Sequence, residues 1–315
     1  MDASSVEPPL SMRDRHAGLL YGALAGDSLA LAAHWIYDPG EIARRFGRVT
    51  ELQAAPQDGY HPGKERGGQT HYGDQTLILL ESLDACGGNF VMDDFARRWR
   101  QFWTDSKSYR DLATNETLAH LDAEHGLTRA GSDSTELGGP ARIAPILAAL
   151  RNEDPPTILA AARAQTALTH ATPVALDAAE FLARTVFLLM RGVSIPSALH
   201  MAAALHYKAL PAESYLRQAE ETRDLPTAEA VAQLGASCPI DKALPSVFAI
   251  LLRHGDSLET ALVENVMAGG DSAARALVLG TILGAAHGRR AVPERWIEPL
   301  RARPQIEAFL KTVGL

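Results

Sequence analysis

Apolar residues recur along this chain at helical spacing, whereas the alternation of apolar and polar residues that marks strands is scarce. Alanine and leucine dominate these segments, and β-branched runs are short. An apolar residue every three or four positions gives a helix one face to bury. We therefore predict an all-α fold, with helices at about 12–26, 39–46, 74–86, 92–104, 109–121, 140–151, 155–168, 174–191, 194–206, 211–222, 242–253, 256–268, 271–288 and 304–312.

Two of the predicted helices carry small residues at every fourth position. The two series are Gly18, Gly22 and Gly26 in the first helix, and Ala276, Gly280, Gly284 and Gly288 in a late one. Residues four apart share one helix face. Glycine inside a helix costs about 1 kcal/mol relative to alanine, so a row of glycines needs a structural reason. We predict that these two faces pack together with a close approach of their backbones.

Two long aperiodic loops interrupt the predicted helices, at 47–73 and at about 125–139. Loops of this length inside a compact domain are usually binding or lid segments. No linker rich in proline, glycine or serine divides the helices. We therefore predict a disordered tail at residues 1–11, followed by one helical domain over residues 12–315.

Charge and cysteine content narrow the classes of function. The chain has 315 residues, with 30 Lys and Arg against 38 Asp and Glu, for a net charge of −8. This acidic balance argues against a nucleic-acid partner, which would require a basic surface. Cys86 and Cys238 provide neither a disulfide framework nor a paired-cysteine metal site. The apolar stretch at residues 276–286 is too short to cross a hydrocarbon core of about 30 Å. We expect a soluble cytoplasmic protein with no membrane partner.

Three aspartates next to glycines lie at ends of the predicted helices. Asp74 and Asp271 open helices, where a carboxylate commonly serves as an N-cap. Asp27 closes the first helix, where a negative charge opposes the helix dipole. Local stability therefore does not explain Asp27, and a partner or a site is indicated.

Five segments follow one another along the chain: GALAGDSL, YGDQT, GGPARIAPILAAL, LTHATPVALDAAEFLA and NVMAGGDSAARALVLGTILGAAHG. In order and in spacing, these segments together resemble the ADP-ribosylglycohydrolase superfamily. The resemblance covers about residues 14–290. It implies a compact orthogonal helical bundle and, in active members, two magnesium ions held by carboxylate and hydroxyl oxygens.

The magnesium motifs of that superfamily are only partly matched in this chain. The acid pair of the second motif falls on Gly73 and Asp74, and the family's glutamate falls on or near His34. The last motif falls on Asp271, Ser272, Ala273 and Ala274, so its second acid is missing. The resemblance therefore implies at most one weakly bound magnesium ion, between Asp74 and Asp271, and no organic cofactor.

The departures from the motifs resemble the branch that contains the J-crystallins, in HWIYDP, HYGDQ and GGDSAAR. That branch implies a polar set of its own, formed by His34, Tyr37, Asp38, His71, Tyr72, Asp74, Asp271 and Arg275. Structural explanations remain open for several of them. His34 fits a buried core histidine, and Asp38 fits an N-cap before a proline. His71 and Tyr72 fit ordinary loop residues, and Arg275 fits an ion pair one turn after Asp271.

The resemblance implies a hydrolase that cleaves an N- or O-glycosidic bond to the ribose of ADP-ribose, of a related nucleotide-like ligand or of an ADP-ribosylated target. Asp74 and Asp271 would activate water and contact the ribose from one cleft, with carboxylates within about 10 Å. His34 or Asp38 would supply acid–base catalysis. The alternative is a catalytically silent ADP-ribose binder or a structural, crystallin-like protein on the same fold.

Substrate contacts are expected from a second set of residues. They are Gly138, Gly139, Arg142, His71, Tyr72 and Arg275. Arg142 follows the two glycines at a predicted helix start, where free N–H groups and a guanidinium would together hold a phosphate.

Overall fold

The computed structural model describes residues 10–315, and within them the chain forms helices and no β-strand. In chain order the helices are α1 (Met12–Ala30), α2 (Pro39–Phe46), α3 (His71–Ala85), α4 (Met92–Asp105), α5 (Leu112–Asp122), α6 (Gly138–Ala141), α7 (Ala144–Ala149), α8 (Pro155–Ala167), α9 (Pro173–Met190), α10 (Ile195–Ala203), α11 (Ala212–Glu221), α12 (Thr227–Leu234), α13 (Ile240–His254), α14 (Leu258–Met267), α15 (Ser272–His287), α16 (Glu294–Ile297) and α17 (Arg303–Thr312). Short 3-10 turns cover Leu127–Arg129 and Arg289–Ala291. The all-α prediction is confirmed.

The centre of the fold is the crossing of α1 and α15, whose glycine rows face each other. A Cβ atom on Gly22 would lie 2.3 Å from the carbonyl oxygen of Gly280, and one on Gly18 would lie 2.4 Å from that of Gly284. The opposed numbering makes the two helices antiparallel. Every residue of α15 from Ser272 to Ala285 is buried. The fourfold spacing thus reflects backbone-to-backbone packing, as the sequence predicts.

This antiparallel crossing brings three helix ends together. The last turn of α1 lies next to the first turn of α15, and α3 packs against both helices. Asp271 caps the start of α15, and Thr70 caps the start of α3. The residues that follow α1 therefore meet the N-terminal ends of α3 and α15, and the polar residues of the chain converge there.

Several helix boundaries differ from the sequence prediction. Helix α1 continues to Ala30, so Asp27 lies in its last turn. Helix α3 begins at His71, so Asp74 is not an N-cap. The expected helix at 140–151 is broken into α6 and α7 at Arg142. Helices α12 and α16 were not predicted, because each has only one or two turns and too few positions to show a period.

The N-terminal tail prediction concerns residues that mostly lie outside those described. Only Leu10 and Ser11 of that tail are described, and the Ser11 side chain accepts a hydrogen bond from Asp14 N. Within residues 10–315, no helix combines the length and the hydropathy required to cross a bilayer.

Candidate active site

Three buried histidines form the floor of the site where α1, α3 and α15 meet. His34 follows α1, His61 lies in the long loop before α3, and His71 is the first residue of α3. They are 5%, 4% and 0% exposed. Their ring centroids lie 5.4–5.9 Å apart. Burial and the neighbouring imidazoles lower the pKa of His34 well below its ordinary value, and burial lowers that of His61 to about 2. Both rings are therefore neutral.

Asp271 borders the histidines from the start of α15. Its carboxylate accepts hydrogen bonds from Ala274 N (3.4 Å) and from the Tyr72 hydroxyl (3.4 Å). His34 and the Cys238 thiol are also close neighbours, with His34 Nδ1 3.7 Å from Oδ1. The carboxyl is fully buried, and this burial raises its pKa. The structure therefore brings together four predicted site residues, His34, His71, Tyr72 and Asp271.

Two further carboxyl groups interact with this centre, Asp111 by direct contact and Glu136 through its charge. Asp111 caps α5 through Thr114 N (2.6 Å), and its Oδ2 lies 3.3 Å from Nε2 of His71. Burial alone would raise the pKa of Asp111, but its contact with His71 outweighs burial and keeps the pKa below the usual range. Glu136 is partly exposed, and burial, then the charges of Asp111 and Asp271, raise its pKa to about 7. Near neutral pH the Glu136 carboxyl is therefore partly protonated, under the influence of the Asp111 and Asp271 charges.

Aromatic side chains form the rim of this centre. Trp35 meets Tyr60 edge to face at 4.6 Å and Tyr109 at 5.1 Å, and Tyr60 is half exposed. Trp35 has a φ of +65°, which is unusual for a bulky residue. Its N–H donates to the carbonyl oxygen of Gly270 (2.9 Å), which holds it in this conformation. Strained backbone of this kind is often found at functional sites.

Asp74 is held apart from these groups by Lys64. The Lys64 ammonium lies 2.7 and 2.6 Å from the two carboxylate oxygens of Asp74. Asp74 lines a separate groove with none of the three histidines in its wall, formed by Gly63, Lys64, Glu65, Gly68, Gln69, Asp74, Leu77, Arg301, Ala302 and Gln305. Burial raises the pKa of Asp74, and Lys64 opposes the rise. Asp74 and Asp271 thus have different hydrogen-bond partners, and the pairing of their carboxylates in one cleft stays a prediction.

Asp27 lies inside the fold as the acceptor of two hydrogen bonds from Thr70, at 2.8 Å from its N–H and 2.6 Å from its hydroxyl. Burial raises the pKa of Asp27 to about 7. A Cβ atom on Gly73 would lie 2.2 Å from Asp27 Oδ2. The glycine that replaces the family's acid is therefore required by the close approach of Asp27.

Arg142 is a buried structural residue, which corrects its expected role as part of a phosphate site. It ends the four-residue helix α6 and is 1% exposed. Its guanidinium donates to the side chains of Gln165 (2.8 Å), Gln75 (2.8 Å) and Thr169 (2.6 Å). These protein acceptors occupy its donors, and no face of the side chain is open to a ligand.

Gly138 and Gly139 are close-packing positions in this structure. A Cβ atom on Gly138 would lie 2.4 Å from the Tyr72 ring, and one on Gly139 would lie 2.7 Å from the His170 ring. Helix α6 has only one turn. The two glycines therefore make room for aromatic rings, and the expected helix start for a phosphate is not formed.

Arg275 and Asp38 also have structural partners. Buried Arg275 donates to Asn265 Oδ1 (2.8 Å), Ala236 O (3.0 Å) and Gly269 O, in place of the expected ion pair with Asp271. These bonds fix the turn that precedes Asp271. Asp38 is exposed and caps α2 through Gly40 N (2.8 Å). Its expected acid–base role lacks a buried partner.

Comparison with known proteins agrees with this architecture. The ADP-ribosylglycohydrolase family model matches residues 8–314. The chain belongs to the ADP-ribosylglycohydrolase family. A solved structure described as an ADP-ribosylglycohydrolase-related protein complex superposes with a TM-score of 0.71 and 25% identity, over 96% of this chain and 97% of that one. The family assignment and the bundle fold are confirmed.

The relatives of this chain include one protein named as a hydrolase and one named as a crystallin. The chain is 26% identical to ADP-ribosylhydrolase ARH3 of Mus musculus, over 90% of this chain and 86% of that protein. It is 23% identical to crystallin J1B of Tripedalia cystophora, over 94% of this chain and 95% of that protein. An uncharacterized protein of Archaeoglobus fulgidus is 26% identical over 94% of both chains. The likeness to the crystallin branch is confirmed.

Magnesium, the metal implied by the ADP-ribosylglycohydrolase motifs, does not fit the donors present. Magnesium prefers several oxygen ligands. Both carboxylate oxygens of Asp74 already face an ammonium group, and Gly73, Ala273 and Ala274 provide no side-chain oxygen. The buried histidines, by contrast, are nitrogen donors that could hold a metal ion.

Sequence reasoning missed six members of the site. They are Trp35, Tyr60, His61, Tyr109, Asp111 and Glu136. The two long loops had been identified as binding segments and contain Tyr60, His61 and Glu136. No local pattern distinguishes these residues from their neighbours, because their convergence depends on contacts distant in sequence.

Proposed function

We propose that this protein hydrolyses a glycosidic bond to the ribose of ADP-ribose or of a related nucleotide-like ligand. The observations that support this most are the contacts of Asp271 with His34 and of Asp111 with His71. Burial, then the charges of these two aspartates, raise the pKa of Glu136 to about 7. Membership of a family of glycohydrolases supports the same reaction class. Fold alone would not, because related folds also serve structural roles.

The reaction would begin with loss of the leaving group at the anomeric carbon of ribose, through an oxocarbenium-like state. Glu136 would donate its proton to the departing nitrogen or oxygen. Water would then add its oxygen to the anomeric carbon, and its proton would pass to the carboxylate of Glu136. Asp111 and Asp271 would accept hydrogen bonds from this water and stabilise the developing positive charge.

The aromatic rim supports a nucleotide-like ligand in particular. Tyr60 is half exposed and lies against Trp35 and Tyr109, so a planar base has an aromatic face to stack on. Each phosphate would need a donor elsewhere, because Arg142 is buried and fully engaged. We assign this role to Lys64 and Arg301, which line the groove that contains Asp74; Lys64 would then have to exchange its contact with Asp74 for a phosphate oxygen.

The second candidate function is silent ADP-ribose binding or a structural role. The likeness to crystallin J1B and the misfit to magnesium favour it. Binding and turnover experiments separate the two functions.

Replacing Tyr60 by alanine is expected to weaken ADP-ribose binding about ten- to a hundredfold, since stacking on an aromatic side chain contributes about 1–3 kcal/mol. Tyr60→Phe keeps the ring and should bind like the wild type. Isothermal titration calorimetry of the three proteins measures this. Equal affinity in Tyr60→Ala, or no binding of ADP-ribose by the wild type, would contradict the proposed ligand class.

A further inference from the structure

The ring nitrogens of His34, His61 and His71 lack hydrogen-bond partners although all three side chains are buried. Buried polar groups are nearly always hydrogen-bonded, and each exception needs an explanation. His71 Nε2 lies 3.3 Å from Asp111, but the contact does not form an aligned hydrogen bond. One metal ion bound by the three rings would take one nitrogen from each, which accounts for three of these six nitrogens.

The same three side chains converge in a way that suits one ion. One nitrogen from each lies within 4.8 Å of the nitrogens of the other two. A tetrahedral zinc ion, with bonds of about 2.0–2.1 Å, needs its nitrogens about 3.3 Å apart. Binding of one ion by all three rings would draw these nitrogens closer together. Three protein ligands also leave a fourth position for water, as in catalytic zinc sites.

Carboxylates lie where they would orient two of the ligands. Asp271 Oδ1 is 3.7 Å from His34 Nδ1, and Asp111 Oδ2 is 3.3 Å from His71 Nε2. Metal-binding histidines commonly direct their second nitrogen to a carboxylate. Helix caps at α5 and α15 fix both aspartates in place.

We propose that His34, His61 and His71 bind one divalent transition-metal ion of the zinc class. Neutral imidazole nitrogens suit zinc and its neighbours and do not suit magnesium. A bound ion would link His61, and with it the loop before α3, to the end of α1 and the start of α3. The ligands of this site would be imidazole nitrogens, in place of the carboxylate and hydroxyl oxygens that the family motifs imply.

Zinc titration of chelator-treated protein, in competition with a chromogenic chelator, tests the proposal. We expect one zinc ion per chain, and no competition from magnesium. Removal of an outer-shell partner lowers metal affinity about 10–100-fold. His61→Ala removes a direct ligand and should lower zinc affinity by more than this. Asp111→Asn should lose about 10–100-fold. His206→Ala changes an exposed histidine outside the site and should bind zinc like the wild type.

Two readouts make the result decisive. Cobalt bound to the wild type should show the visible absorption of a tetrahedral ion, and zinc should raise the melting temperature of the wild type but not of His61→Ala. Failure of the wild type to bind zinc, or equal affinity in His61→Ala, would overturn the proposal. The proposal does not rest on the proposed hydrolysis. Zinc binding without turnover refutes only the hydrolysis, and turnover without zinc binding refutes only the metal site.

Discussion

Replacing Glu136 by glutamine is expected to lower kcat/KM for ADP-ribose release by about a hundred- to ten-thousandfold, the usual contribution of a general acid. Glutamine keeps the shape of the side chain but has no carboxyl proton to transfer. Asp133→Asn is the matched control, because Asp133 is exposed in the same loop and its change removes a similar charge. Steady-state assays of the three proteins measure the effect.

The pH dependence supplies an independent check on Glu136. Its pKa in the folded protein is about 7, above the ordinary value of 4.5. The protonated form is the acid, so the rate should fall as pH rises through about 7 and this limb should vanish in the glutamine variant. The folded state holds this proton more tightly than the unfolded state. Ionisation of Glu136 therefore lowers the free energy of unfolding as pH rises from 4.5 to about 7. Glu136→Gln should therefore be more stable than the wild type above pH 7. Equal activity, with an unchanged pH limb, would remove Glu136 from the mechanism.

Replacing Gly280 by alanine is expected to lower the free energy of unfolding by about 3 kcal/mol, at the upper end of the overpacking range. The new Cβ would lie 2.0 Å from the carbonyl oxygen of Gly22, and backbone cannot move aside as a flexible side chain can. The helix propensity of alanine recovers only about 1 kcal/mol of the loss.

The matched control for Gly280→Ala is Gly40→Ala, in α2. There the nearest atoms to a new Cβ are the ends of the Arg44 and Asp38 side chains, at 3.1 Å, and both can move. Urea denaturation gives the free energy of unfolding for each protein. A Gly280→Ala protein as stable as Gly40→Ala would show that α1 and α15 are not in backbone contact.

The helical fold and the α1–α15 crossing could be predicted because their signals are local. Helical spacing and the fourfold glycine rows are properties of short segments, and each has one main physical explanation. The same holds for the Asp271 and Asp38 caps, which adjoin the starts of α15 and α2. Boundaries are less accurate: the end of α1 and the start of α3 differ by a few residues, and the helix expected at 140–151 is broken into α6 and α7.

The site could be predicted only in part because burial and pairing are not local. Arg142 follows two glycines, as a phosphate site would, but the folded chain surrounds it with Gln75, Gln165 and Thr169. Lys64 pairs with Asp74 because a loop folds back over α3. The sequence shows only that several of the family's metal ligands are missing, whereas the structure shows that three histidines lie together.

The central claim is that this protein cleaves a glycosidic bond to ribose. The most direct measurement uses two peptides, one ADP-ribosylated on serine through oxygen and one on arginine through nitrogen, with free ADP-ribose quantified by mass spectrometry. We predict that the wild type releases ADP-ribose from at least one peptide and that Glu136→Gln does not. Both peptides remaining intact with wild-type protein that still binds ADP-ribose would contradict the claim and leave a silent binder.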